Sequence, residues 1–128
     1  MTGAEPIRVM VVDDQADVRF LVGVILGDHD DIRVVGEAAT AGEALDGFDA
    51  AAPDVMIVDA RMPVVDGYEL TRRLLERRPG LPVALLTTIV DEQIEAEAAA
   101  AGVAAVASKA DFDALPGVVR RLAGKRLI

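Results

Sequence analysis

Five side chains of this sequence carry groups able to handle a phosphoryl group or a metal ion. They are the carboxylates of Asp13, Asp14 and Asp59, the hydroxyl of Thr87 and the amine of Lys109. Each follows a short apolar run: Ile7–Val12, Val55–Val58, Val83–Leu86 and Val103–Ala107. Three carboxylates gathered in one place are unstable by themselves. Two unit charges about 4 Å apart repel by roughly 4 kcal/mol at an effective dielectric of 20. Either some are protonated or a cation neutralises them. A small hard cation such as Mg²⁺ suits all-oxygen ligands and keeps several waters. With it in place, one carboxylate stays ionised and can attack phosphorus. Lys109 then contacts a phosphoryl oxygen as a point charge, and Thr87 donates to another. Phosphoryl transfer requires little of a protein beyond such positioning and charge neutralisation. Each residue taken alone has a plainer reading. Asp13-Asp14 can simply end a strand and cap a helix, Asp59 can form a turn, and Thr87 and Lys109 can be a β-former and a solvated surface residue. The joint pattern, each at the carboxyl end of its own strand, favours the chemical reading.

The elements that would hold them are legible as periodicity. The stretch Asp54–Gly67 (DVMIVDARMPVVDG) is central: an apolar run into Asp59, a Met62-Pro63 turn, then Asp66-Gly67 opening a helix. A continuous apolar run bounded by turn signals reads as a buried parallel strand. Further strands are expected at Ile7–Val12, Ile32–Ala38, Pro82–Thr87 and Val103–Ala107. Val18, Leu21, Val22, Ile25 and Leu26 form an apolar helical stripe within Ala16–Gly27. Ala41, Ala44, Leu45 and Phe48 repeat that spacing, as do Leu70, Leu74 and Leu75 in a helix ending at Arg77. Glu69 and Arg73 pair at i,i+4 on its outer side, and the Arg72-Arg73 and Arg77-Arg78 pairs fall on its solvent face. Asp91–Ala101 is an Ala- and Glu-rich helix with little apolar anchoring. Phe112, Leu115, Val119 and Leu122 mark a last helix, whose start Pro116-Gly117 delays or kinks. His29, the only histidine, reads as solvated surface. Five strands alternating with five helices imply an α/β fold: a doubly wound five-stranded parallel sheet, flavodoxin-like, in the order 2-1-3-4-5. That order brings Asp13, Asp14 and Asp59 to one sheet edge, in the crevice where such sheets bind ligands.

The 128 residues suffice for one domain with a real core. A net charge of −9 makes direct nucleic-acid binding by this domain unfavourable. The absence of cysteine excludes disulfides and thiolate metal sites. With no hydrophobic signal core and no apolar run long enough to span a bilayer, the expectation is a cytoplasmic protein with no membrane contact. Residues 1–6 read as a flexible leader, 7–124 as the folded domain, and 125–128 as a tail or the start of a linker.

The motifs VVDD (Val11–Asp14), DARMPVVDG (Asp59–Gly67), LLTT (Leu85–Thr88) and SKAD (Ser108–Asp111), in this order, resemble those of the receiver domains of bacterial two-component response regulators. The stretch GVAAVASKAD and the tail LPGVVRRLAGKRLI look most like receivers of LuxR-type (NarL-like) transcription factors. The resemblance implies that Asp59 accepts a phosphoryl group from a sensor histidine kinase and that Asp14 is a direct Mg²⁺ ligand. It implies that Asp13 acts as the companion ligand, usually through water, and that the backbone carbonyl of Arg61 is a third protein ligand. Lys109 resembles the phosphoryl-binding lysine and Thr87 the switch hydroxyl; Thr88 and Arg61 flank the phosphoryl position. It further implies a conformational shift that controls transcription, homodimers on phosphorylation, and DNA contact only through a C-terminal helix-turn-helix domain.

Three positions depart from the pattern. Val106 stands where such domains carry an aromatic switch residue. Ala110 replaces a proline after the lysine. Thr88 replaces a smaller residue, and its bulk is expected to slow transfer and hydrolysis. One alternative is an atypical receiver that binds partners without phosphorylation. An enzyme of the haloacid-dehalogenase type is disfavoured, because it would need an acid two residues after Asp59, where Arg61 stands.

Overall fold

A computed structural model describes residues 5–126. Most of the expected leader, and the last two residues of the expected tail, lie outside the described residues. Strand β1 (Ile7–Val12) leads to α1 (Ala16–Gly27), β2 (Ile32–Ala38) and α2 (Ala41–Ala51). Then come β3 (Val55–Asp59), α3 (Gly67–Arg77), β4 (Val83–Thr87), α4 (Glu92–Ala101) and β5 (Ala105–Ser108). A 3₁₀ turn at Phe112–Ala114 leads into α5 (Leu115–Arg126). The strands form one parallel sheet in the expected order, β2-β1-β3-β4-β5.

Successive strand residues point to opposite faces, and the two cores show it. Val9, Val11, Val55, Ile57, Ala84 and Leu86 pack on one face with Val22 and Leu26 of α1 and Leu115, Val119 and Leu122 of α5. Met10, Val12, Met56, Val58 and Val83 pack on the other with Ala44 and Phe48 of α2 and Leu70 and Leu74 of α3. Both faces of β1, β3 and β4 are therefore covered, which is why these strands carry almost no polar residue before their last position.

The helix ends follow local chemistry. Thr40, Asp66 and Asp91 each accept the backbone N–H three residues on, at 3.1, 2.9 and 2.8 Å. Asp66 and Asp91 thus precede α3 and α4 as caps rather than opening them. Gly102 ends α4 with φ of 92°. The Gly102 N–H reaches Ala99 O and the Val103 N–H reaches Ala98 O, which is the Schellman arrangement. That cap consumes Val103, so β5 starts two residues later than its apolar run and extends to Ser108. Pro116 occupies the first turn of α5, where a missing N–H costs nothing; the helix start is delayed, not kinked. Arg126 still belongs to α5, so the helix continues into the segment expected to be a tail.

Three surface expectations are corrected. Leu21 is 41% exposed rather than inward, and Phe20 and Val24 beside it are exposed too. Arg77 and Arg78 fold back on the protein: Arg77 donates to Leu45 O at 2.7 Å and Arg78 donates to Pro53 O. The Arg78 guanidinium lies 4.8 Å from the centre of the Phe48 ring. His29 is partnered, with its Nδ1 2.9 Å from Arg120, which also clasps Asp31 through two bonds.

Candidate functional site

Parallel pairing delivers the five side chains to one edge. Val12 aligns with Val58, Asp59 with Leu86, and Thr87 with Ser108. Bonds just beyond the strands fix the ends: Asp13 N–H to Ala38 O at 3.0 Å, Ala60 N–H to Leu86 O at 2.9 Å, and Lys109 N–H to Thr87 O at 2.8 Å. Gly67 completes the support. Its N–H bonds Ala60 O at 3.0 Å, and a Cβ there would lie 2.2 Å from the carbonyl oxygen of Asp59. The first turn of α3 is pressed against the end of β3 so closely that only glycine fits.

Asp13 and Asp59 are buried, at 0% and 3% exposure, while Asp14 is exposed. One carboxylate oxygen from each lies within 4.8 Å of the others. The Lys109 ammonium sits between the two buried acids, 3.1 Å from Asp13 Oδ2 and 3.2 Å from Asp59 Oδ1. Asp59 Oδ1 also accepts the Arg61 N–H at 3.2 Å, and Asp13 Oδ1 accepts the Gln15 N–H at 2.9 Å. A cavity of about 240 Å³ opens over this set, lined by Asp14, Gln15, Asp59, Arg61, Thr87, Thr88 and Lys109. Every predicted site residue is therefore in one place, with Asp13 behind the cavity wall. Gln15 is an addition; its short distance after Asp13 in the β1–α1 loop is the only signal that pointed to it.

Burial pushes the Asp59 carboxyl up to about 6, and the negative charge of Asp13 adds to the rise; the Arg61 N–H and Lys109 hold it back. For Lys109, burial works against the charged form, but the pairing with Asp13 and Asp59 outweighs it and holds the amine above its usual range. The Thr87 hydroxyl is turned to its own loop. It donates to Ile89 O at 3.2 Å and lies 3.3 Å from the Ile89 N–H.

At the position of the missing strand aromatic, Val106 packs in a small cluster with Leu85, Ala98, Val103 and Tyr68 of α3. Burial raises the Tyr68 phenol above its usual range, with the charge of Glu97 adding to it. The donor chemistry of the acidic set fits a hard divalent cation. All three groups are oxygen ligands within 4.8 Å of one another, and the single Lys109 ammonium leaves their negative charge only partly compensated.

The chain matches the family described as the response regulator receiver domain over residues 9–120. It is 36% identical over 111 residues to a protein-glutamate methylesterase/protein-glutamine glutaminase of Bradyrhizobium diazoefficiens, covering 85% of this chain and 30% of that protein. It is 38% identical over 96 residues to the DNA-binding transcriptional activator DevR/DosR of Mycobacterium tuberculosis, covering 75% of this chain and 44% of that protein. The chain thus spans less than half the length of these curated relatives. Among solved structures it resembles a LuxR-family two-component response regulator from Aurantimonas sp. SI85-9A1. There the TM-score is 0.89 at 26% identity, over 95% of this chain and 88% of that one.

Proposed function

The chain belongs to the response regulator receiver domain family, and from there we propose that Asp59 is its phosphoacceptor, served by a sensor histidine kinase. The observation that carries this reading is the Lys109 ammonium held at 3.1 and 3.2 Å from two buried carboxylates in one solvent-open cavity. Mg²⁺ would be held by Asp13, Asp14, Asp59 and the backbone carbonyl of Arg61. Bound there, it neutralises the acids and the incoming phosphoryl oxygens. A carboxylate oxygen of Asp59 forms the new bond to phosphorus as the bond from phosphorus to the donor imidazole breaks. The leaving imidazole keeps that electron pair. Lys109, drawn from the acids, contacts the phosphoryl group, and the Thr87 hydroxyl leaves Ile89 to donate to it. Thr88 and Arg61 flank the phosphoryl oxygens at the mouth. The bulk of Thr88 slows both transfer and hydrolysis.

Moving a conformational equilibrium from 1:99 to 99:1 takes about 5.5 kcal/mol. Two or three charge-assisted hydrogen bonds made only after phosphorylation supply most of that. The element with least to lose by moving is α4, which buries only Ala98 and Ala101. The output is transcriptional control through a helix-turn-helix domain joined after this one, with residues 7–124 as the receiver and a homodimer forming on phosphorylation. DevR/DosR, by its name a DNA-binding activator, supports that output. The receiver turns over no external substrate. No helix among the described residues is long and apolar enough to cross a membrane.

Incubation with acetyl phosphate and Mg²⁺ is expected to add the mass of a single phosphoryl group, and a chelator to prevent it. An unchanged mass would overturn the reading and leave the phosphorylation-independent module in its place. Magnesium binding should also weaken as pH falls below about 6, because the Asp59 carboxyl takes up a proton there. Calorimetric titration at pH 5 and pH 7.5 checks this; equal affinities would remove Asp59 from the ligand set.

A further inference from the structure

Val64 is the most strained residue of the loop between Asp59 and α3. Its φ is 71°, a left-handed value that a β-branched side chain adopts at a cost. The Val65 N–H bonds Pro63 O at 2.9 Å across it, which makes a γ-turn of the rare, strained form. The turn throws the Val64 side chain wholly into solvent. Strained exposed apolar residues of this kind persist where they are used. Val64 stands at the rim of a mostly apolar groove of about 400 Å³ between the β2–α2 and β3–α3 loops, whose lining includes Asp14, Gly42, Pro63, Val65 and Arg73. Asp14 also lines the phosphoryl cavity, so the groove and the cavity adjoin.

That continuity names the occupant. A histidine side chain is a short arm, and a donor that places its imidazole against Asp59 must lay its own surface over the rim of the cavity. We propose that this groove is a resting surface for the histidine-bearing donor protein, and that Val64 is a specificity residue for protein donors and not for small ones. The proposal rests on the phosphoacceptor reading of Asp59, but the two are separable by experiment.

Phosphorylation is followed with two donors: acetyl phosphate, and the phosphorylated catalytic part of whichever sensor kinase in a panel labels the unaltered chain fastest. Val64→Asn tolerates the left-handed turn and is expected to melt at or above the temperature of the unaltered chain. Its labelling by acetyl phosphate should be unchanged. Labelling by the kinase should slow about tenfold, the scale of a lost apolar anchor, and Val64→Ile should keep the original rate. Equal slowing with both donors would place the effect in the cavity itself and overturn the proposal, as would undiminished labelling by the kinase. If neither donor labels the unaltered chain, the phosphoacceptor reading has failed and this proposal falls with it.

Discussion

Asparagine in place of Asp59 is expected to abolish the phosphoryl adduct and, above about pH 6, to make the protein more stable. The first effect follows from the loss of the nucleophilic oxygen. The second follows from the cost of keeping that carboxylate ionised. The folded carboxyl titrates at about 6, against 3.8 for the ordinary group. Between those values the folded chain holds a proton that the unfolded chain has released. Stability therefore falls as pH rises from about 4 to about 6, and the loss remains above that range. At about 1.4 kcal/mol per pKa unit, the ionised form costs about 3 kcal/mol. Asparagine keeps an oxygen for the Arg61 N–H and carries no charge against Asp13. Unfolding free energies from urea titrations of both proteins in chelator, from pH 4 to pH 8, should agree at the acid end and separate by about that amount at pH 8. A gap independent of pH would show that burial and Asp13 do not strain the ionised carboxyl. An adduct that persists in the variant would move the phosphoacceptor elsewhere.

Gly67→Ala should have an effect of similar size and opposite sign, lowering stability. The added methyl would stand 2.2 Å from the carbonyl oxygen of Asp59 and 2.9 Å from its carbon. Both are backbone atoms of a buried strand end, so no rotamer relieves the clash. Either α3 withdraws or the end of β3 shifts. Overpacking of this kind costs about 3 kcal/mol, and a shifted Asp59 loses its contact with Lys109. The variant should melt well below the unaltered chain and, where still folded, label slowly with acetyl phosphate. A control at Gly124, where a Cβ meets nothing within 4 Å, should melt close to the unaltered chain. Normal melting of Gly67→Ala would show that the helix yields without disturbing the strand.

The strands, and the candidate residues that gather at their ends, were visible in the sequence for one reason. Buried parallel strands admit no polar residue until they emerge, so Asp13, Asp59 and Thr87 announce themselves as the first polar groups after apolar runs. What the sequence did not reveal depends on contacts between distant segments. Helical spacing placed Leu21 on the same stripe as Val22 but could not say how wide a stripe the sheet would cover. Arg78 bonds to Pro53, 25 residues away, and spacing within α3 alone assigned it to solvent. His29 looked solitary because Arg120 is 91 residues distant. The demand on Gly67 was partly hidden too. An Asp-Gly pair reads as a helix start, and nothing local shows that a strand carbonyl lies against it.

The lysine lodged between Asp13 and Asp59 has a bearing on which ions the protein notices. Its ammonium supplies one countercharge to three carboxylates, so a single sodium or potassium ion still leaves the hollow one charge short. An ion with two charges brings more, and only such an ion lets the lysine be released towards a new anion. The acidic crevice should therefore sort cations by valence before it sorts them by size.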